Sequence, residues 1–235
     1  VDFPFSLLNE PDGVYEGISP AFNEIIPAWL LTDNLFTLKR NQEKYKARNR
    51  AKREQFVFDV FRRDIVELMK DARSRLESIT SDQVRPVYTE KDIPGLGKNY
   101  MKEQSRLPAI QAYSAAILYY VLKGLLNQVQ GLVEAGRGAD VANLLTQASA
   151  DAEWEYQRKT LLQEWPDVTV PAGLQRLVHR EEEIAQAVES SKGKDDHRGK
   201  RIIDDYADAH PPAEQDKFVK ETWNNFRALQ QHVTD

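Results

Sequence analysis

The order of apolar and polar positions divides the chain into an irregular opening and a series of helical stripes. Residues 1 to 22 alternate loosely and carry the turn signals NEPDG and EGISP, which predicts an extended arm or a terminal strand. From Glu24 the period turns helical. In EIIPAWLLTDNLFTLKRNQEKYKARN, positions Ala28, Leu31, Leu35, Leu38 and Tyr45 fall near one face, with Pro27 acceptable in a first turn. The clearest stripe is in FVFDVFRRDIVELMKDARSRLESI, where Phe58, Phe61, Ile65, Leu68, Ala72, Leu76 and Ile79 recur at steps of three and four. After it, TSDQVRPVYTEKDIPGLGKNYMKEQSRLP contains Pro86, Pro94 and Pro108 with Gly95 and Gly97. These predict a long loop without continuous helix, of the kind that lines a site or stays unstructured.

The helical signal then returns. AIQAYSAAILYYVLKGLLNQVQGLVEAG is apolar around most of its circumference, through Ile110, Tyr113, Ile117, Tyr120, Val121, Leu125, Val129 and Leu132, as suits the central helix of a bundle. Gly136 and Gly138 supply its stop. A helix from about Asp140 to Glu164 is expected next, ending before Pro166. Another follows through Leu174, Leu177, Val178, Ile184 and Val188, and a last one through Phe218, Trp223 (or Thr222), Phe226, Leu229 and Val233. The expected fold is mainly α: an irregular bundle of about six helices over 23–235, no confident sheet, and an extended arm over 1–22.

Composition narrows the function classes. The 235 residues are 41% hydrophobic and 29% charged, with a mean hydropathy of −0.61, as for a folded chain with a large polar surface. A net charge of −5 argues against polyanion binding by the chain as a whole. With no cysteine there is no disulfide framework, thiolate nucleophile or Cys-ligated metal, which fits a reducing, cytoplasmic setting. The start VDFPFSLLNEPDG lacks the features of a signal peptide and an initiating Met, which suggests an excised domain with something upstream. The run AAILYYVL is too short to span a bilayer, so no membrane partner is expected.

Two charge-dense stretches remain as candidate sites. KRNQEKYKARNRAKR, residues 39 to 53, holds eight Lys or Arg against one Glu, and Arg48 and Arg50 sit near its end. Guanidinium groups suit phosphate or carboxylate, but Tyr45 is the only aromatic here, so nucleic acid is an unlikely partner. A solvated face is the competing account. In SSKGKDDHRGKRIIDDYADAH, residues 190 to 210, charge comes from Lys192, Lys194, Asp195, Asp196, His197, Arg198, Lys200, Arg201, Asp204, Asp205, Asp208 and His210. On a helix from about Gly199, Lys200–Asp204 and Arg201–Asp205 would pair at i,i+4, with Ile202, Ile203 and Tyr206 buried. Gly193 and Gly199 bracket KDDHR and weaken a helix there. The carboxylates could also suit Mg²⁺ or Mn²⁺, although neither the EF-hand order nor HExxH occurs. No GxSxG, GxGxxG or phosphate-loop spacing is present.

DFPFSLL, FNEIIPAWLLTDNLFTLKRNQEKYKARNRAKR and SSKGKDDHRGKRIIDDYADAH resemble an uncharacterised bacterial family in which a left-handed parallel β-helix of hexapeptide repeats precedes a helical C-terminal region. The likeness covers about the first eighty residues and about 185 to 225. It implies a partner β-helix domain upstream, a tendency to homo-oligomerise, and proximity to sugar-nucleotide chemistry. No hexapeptide rung occurs in this chain, and no catalytic residue is carried over. Three functions follow as expectations. The first is a helical region binding a small anionic ligand, such as a sugar phosphate or nucleotide sugar, through Arg48, Arg50 and the 192–210 cluster. The second is a structural or oligomerisation module. The third is a metal-dependent nucleotidyl or phosphoryl transferase acting through Asp195, Asp196, Asp204 and Asp205.

Overall fold

The computed structural model describes residues 2–53 and 59–234. They form eight α-helices and one small four-stranded sheet, so the fold is mainly α. The chain divides into two compact units, 1–117 and 118–235, and the division falls inside a long helix.

The first unit holds all four strands: β1 (Leu7–Asn9), β2 (Asn23–Ile26), β3 (Val87–Thr89) and β4 (Asn99–Lys102). Their spatial order is β1-β2-β4-β3. β1 pairs antiparallel with β2, β2 parallel with β4, and β3 antiparallel with β4. The opening arm is therefore the edge strand of a sheet. Glu24–Ile26, expected in a helix, extends instead: Ile25 is fully buried in the strand, and Ala28 turns the chain through a left-handed conformation at φ 57°. The helix that follows is split by Asp33 and Asn34 into α1 (Trp29–Thr32) and α2 (Leu35–Arg48). The predicted loop after residue 80 carries β3 and β4, whose Tyr88, Tyr100 and Met101 are core residues.

α3 (Arg63–Glu77) is amphipathic as predicted, but its stripe is rotated in the first half. Val66, Met69, Ala72 and Leu76 are fully buried, whereas Leu68 is 45% exposed. The helix begins after Phe61, so that residue sets no phase for it; Phe58 lies outside the described residues.

α4 (Glu103–Glu134) begins five residues before Pro108, which stands near its N-terminal end. The proline forfeits one backbone hydrogen bond there rather than excluding the helix. By length and composition α4 could cross a membrane, but 67% of that apolar stretch is buried inside the fold, as in a core helix. Its stop is the predicted one. Gly136 takes φ 69°, and its N–H reaches Val133 O at 2.9 Å while that of Arg137 reaches Leu132 O at 2.8 Å. This pair of bonds satisfies carbonyls that the helix end would orphan.

In the second unit, 138–143 is a short 3₁₀ turn, and the next helix, α5 (Ala152–Glu164), starts later than expected. Asp151 fixes that start by accepting from the N–H groups of Glu153 and Trp154. α6 (Val170–Ile202) is capped by the Thr169 side chain and runs uninterrupted through Gly193 and Gly199. A Cβ on Gly173 would stand 2.8 Å from Leu125 Cδ2, so glycine there permits close packing against the second half of α4. After the one-turn α7 (Tyr206–Ala209), α8 (Lys217–Thr234) returns along α6, with Val219 and Phe226 buried.

Candidate functional site

The rotation of α6 sorts the charged run by face. Lys192 and Asp196, one turn apart, point inward, with side chains only 5% and 9% exposed. The Lys192 ammonium donates to Asp196 Oδ1 and, at 2.8 Å, to the carbonyl of Pro211. Asp196 Oδ1 also accepts from the Tyr206 hydroxyl at 3.3 Å. The Tyr206 ring stacks on His210, centroids 4.3 Å apart, and its edge lies so close to Gly199 that any Cβ there would clash. A buried ion pair and one aromatic ring thus clasp the segment after α6 back onto the helix. The further bonds to the Pro211 carbonyl and from the Tyr206 hydroxyl help offset the cost of burying the pair.

The other predicted residues of this run take different places. Lys194, His197, Arg198 and Arg201 follow one another at i, i+3, i+4 and i+7, and line one shallow groove along α6. His197, Arg198 and Arg201 are exposed, and Asp195 is half-buried. Asp204, Asp205, Asp208 and His210 are exposed beyond the helix end. Because α6 stops at Ile202, the helical spacing expected for Lys200–Asp204 and Arg201–Asp205 does not apply. The expected apolar face is also absent: Ile202 is 74% and Ile203 47% exposed, leaving Tyr206 as the inward residue.

These placements bear on the metal expectation. Asp196 spends its carboxylate on Lys192 and Tyr206. Among the described residues no group of three His, Asp or Glu is gathered as a set that could hold an ion. Mg²⁺ or Mn²⁺ finds no assembled site in this segment.

Arg48 and Arg50 belong to the first unit. Arg48 is the last residue of α2 and Arg50 lies just beyond it, both exposed. In the same run Lys46 pairs with Asp59 at 3.1 Å, both half-exposed, as on a solvated face.

The first unit also contains a charged cluster with no signal in the sequence. Lys102, at the end of β4, is 15% exposed and donates to Asp12 and, at 3.2 Å, to Glu24, which is nearly fully buried on β2. Asp12 Oδ1 further accepts from the hydroxyls of Tyr15, at 3.0 Å, and Tyr100, at 3.3 Å. The Lys102 hydrogen bond holds the Asp12 carboxyl below its ordinary range, and the same bond raises the Lys102 ammonium above its own. The loop after β1 is thereby tied to the sheet. Asp12 and Lys102 are ninety residues apart, so no spacing rule could have joined them. Elsewhere, Glu155 is held down to about 2 by the Arg158 guanidinium and by the backbone N–H of Ser149.

No family model, curated protein or solved structure matches the chain.

Proposed function

We propose that this chain is a helical region following a hexapeptide-repeat β-helix, and that the outer face of α6 binds a small anionic ligand of the sugar-phosphate class. One observation carries the reading: His197, Arg198 and Arg201 share a groove with Lys194 on the outer face of α6, while Asp196 is turned inward to Lys192. Guanidinium pairs at one helical turn suit the oxygens of a phosphate monoester. Titration calorimetry with glucose 1-phosphate and with inorganic pyrophosphate tests it. Arg198→Ala combined with Arg201→Ala should weaken binding by about tenfold or more, the loss of one or two charge-assisted hydrogen bonds. Equal affinity in that double variant ends the proposal.

A structural or oligomerisation module is the second reading, favoured by the closed network of Lys192, Asp196, Tyr206 and Pro211, which leaves no partner to recruit. Light scattering that shows a concentration-dependent oligomer, with no thermal shift from any anion, would favour it. The role first expected of Arg48 is tested by pairing Arg48→Ala with Arg201→Ala. Residues that serve one ligand show non-additive losses, and independent ones add.

A further inference from the structure

The second unit has another groove, of about 430 Å³, where the 3₁₀ turn of residues 213–215 and α8 meet α6. Its floor is Trp223, half-buried, with the indole N–H donated to Glu189 at 3.0 Å and Phe226 packed edge-on at 5.9 Å. The ring is therefore held in one orientation without being sealed off. On the same face of α8, Lys220 lies one turn before Trp223 and Arg227 one turn after it. The Arg227 guanidinium stands over the ring at 5.9 Å from its centroid and donates to Asn224 at 3.2 Å. The exposed carboxylate of Glu214 also lines the groove. Among the described residues neither Glu214 nor Lys220 has a side-chain hydrogen bond or ion pair, although both line the groove.

An oriented aromatic platform, cations before and after it, and a carboxylate acceptor in the same groove make a specific combination. The platform suits a planar ring, the cations suit an anion attached to that ring, and the carboxylate suits an amino group on its edge. We propose that this groove binds a nucleotide with an exocyclic amino group, its base on Trp223, its phosphate on Lys220 and Arg227, and its amino group donating to Glu214. The volume is within the range of small-ligand sites. This site is separate from the strip of basic residues on α6 and does not depend on it.

Indole N–H resonances of the whole chain provide the test, with the Trp223 signal identified by its loss in Trp223→Phe. Titration with adenosine monophosphate should move that signal at millimolar concentrations or below. Inosine monophosphate, which lacks the amino group, and ribose 5-phosphate, which lacks the base, should each bind about tenfold more weakly. By calorimetry Lys220→Ala and Glu214→Gln should each lower affinity severalfold, and Trp223→Phe should retain more binding than Trp223→Ala. An unmoved Trp223 signal overturns the proposal, even if the nucleotide binds elsewhere. It is overturned equally if tripolyphosphate matches the nucleotide, since charge alone would then suffice, or if only an oligonucleotide binds.

Discussion

Each unit contains a lysine that ties an irregular segment to a regular one, Lys102 partly exposed and Lys192 buried, and the two differ in what the lysine grips. In the first unit Lys102 joins two carboxylates, Asp12 and Glu24, and the tyrosine hydroxyls spread the charge further. Asp12 is half-exposed, so water shares the work of solvating that cluster. In the second unit Lys192 grips a single buried carboxylate, Asp196, and the backbone carbonyl of Pro211, a residue at the surface. A half-exposed member such as Asp12 can lose its partner and be rehydrated. A closed pair cannot, because the survivor is left as an uncompensated buried charge. The conspicuous charge near the C-terminus is thus partly internal structure, which is why only its outward residues are left for a ligand.

The largest effect should come from breaking the closed pair. Lys192→Met strands Asp196, and a loss of about 3–5 kcal/mol is expected for such a change. Lys192→Met with Asp196→Leu should recover most of it, because no charge then remains buried. Thermal unfolding of the three proteins checks this, and a single variant as stable as the parent would remove the clasp. The matching change in the first unit, Lys102→Met, leaves Glu24 buried without its cation. The expected loss is at the lower end of that range, about 3 kcal/mol, since half-exposed Asp12 can be rehydrated whereas Glu24, 5% exposed, is left as a buried charge. Limited proteolysis should then cut within residues 10–18, which Asp12 no longer ties to the sheet; an uncut loop would contradict the assignment.

The same contrast explains what could be read from the sequence. The long helices were legible because their apolar periods are sustained, and α4 even announces its end in Gly136. The sheet was not, since strands of three or four residues are too short for alternation to show, and β2 hides among helix-like neighbours. The phase of α3 is obscured because the apolar period runs on from Phe61, which precedes the helix. At 190–210 the run was visible, but its meaning depended on helix continuity. Gly193 and Gly199 suggested a break, whereas α6 continues and thereby places Lys192 and Asp196 inside and Arg198 and Arg201 outside. Glu24, Lys102 and Asp12 come together only through strand pairing, which one sequence cannot supply.

Those two glycines offer a finer test of the closed clasp. A Cβ at Gly193 meets nothing within 4 Å, so Gly193→Ala should stabilise by up to about 1 kcal/mol through helix propensity. At Gly199 the added methyl must displace the Tyr206 ring and with it the hydroxyl that serves Asp196. Gly199→Ala should therefore be net destabilising by about 1 kcal/mol, despite the same propensity gain, because a small overpacking strain exceeds it. Urea unfolding of the pair reads the difference directly. If both alanines stabilise equally, Tyr206 is not part of the clasp.

The smallest effects are those of pH, and they separate the open cluster from a clamp on another helix. The folded-state pKa of Asp12 is depressed, chiefly by Lys102, so its contribution is present above the ordinary carboxylate value of 3.8 and is lost as pH falls through the folded value. Glu155, depressed to about 2 from 4.5 by Arg158, loses its contribution over that interval. Lys102 is raised, so its contribution is complete below its ordinary value of 10.5 and disappears only above it. These three groups therefore leave stability flat between about pH 6 and 9 and produce an acid limb below, by linkage. Both carboxylates are near solvent, and the limb should be shallow and weakened by salt. Asp12→Asn and Glu155→Gln should each flatten part of the limb, the first for amide exchange in residues 10–18 and the second for exchange at the start of α5. If Asp12→Asn leaves the acid limb of the first unit unchanged, Lys102 is held by Glu24 alone, and the two lysine clasps are more alike than their surroundings suggest.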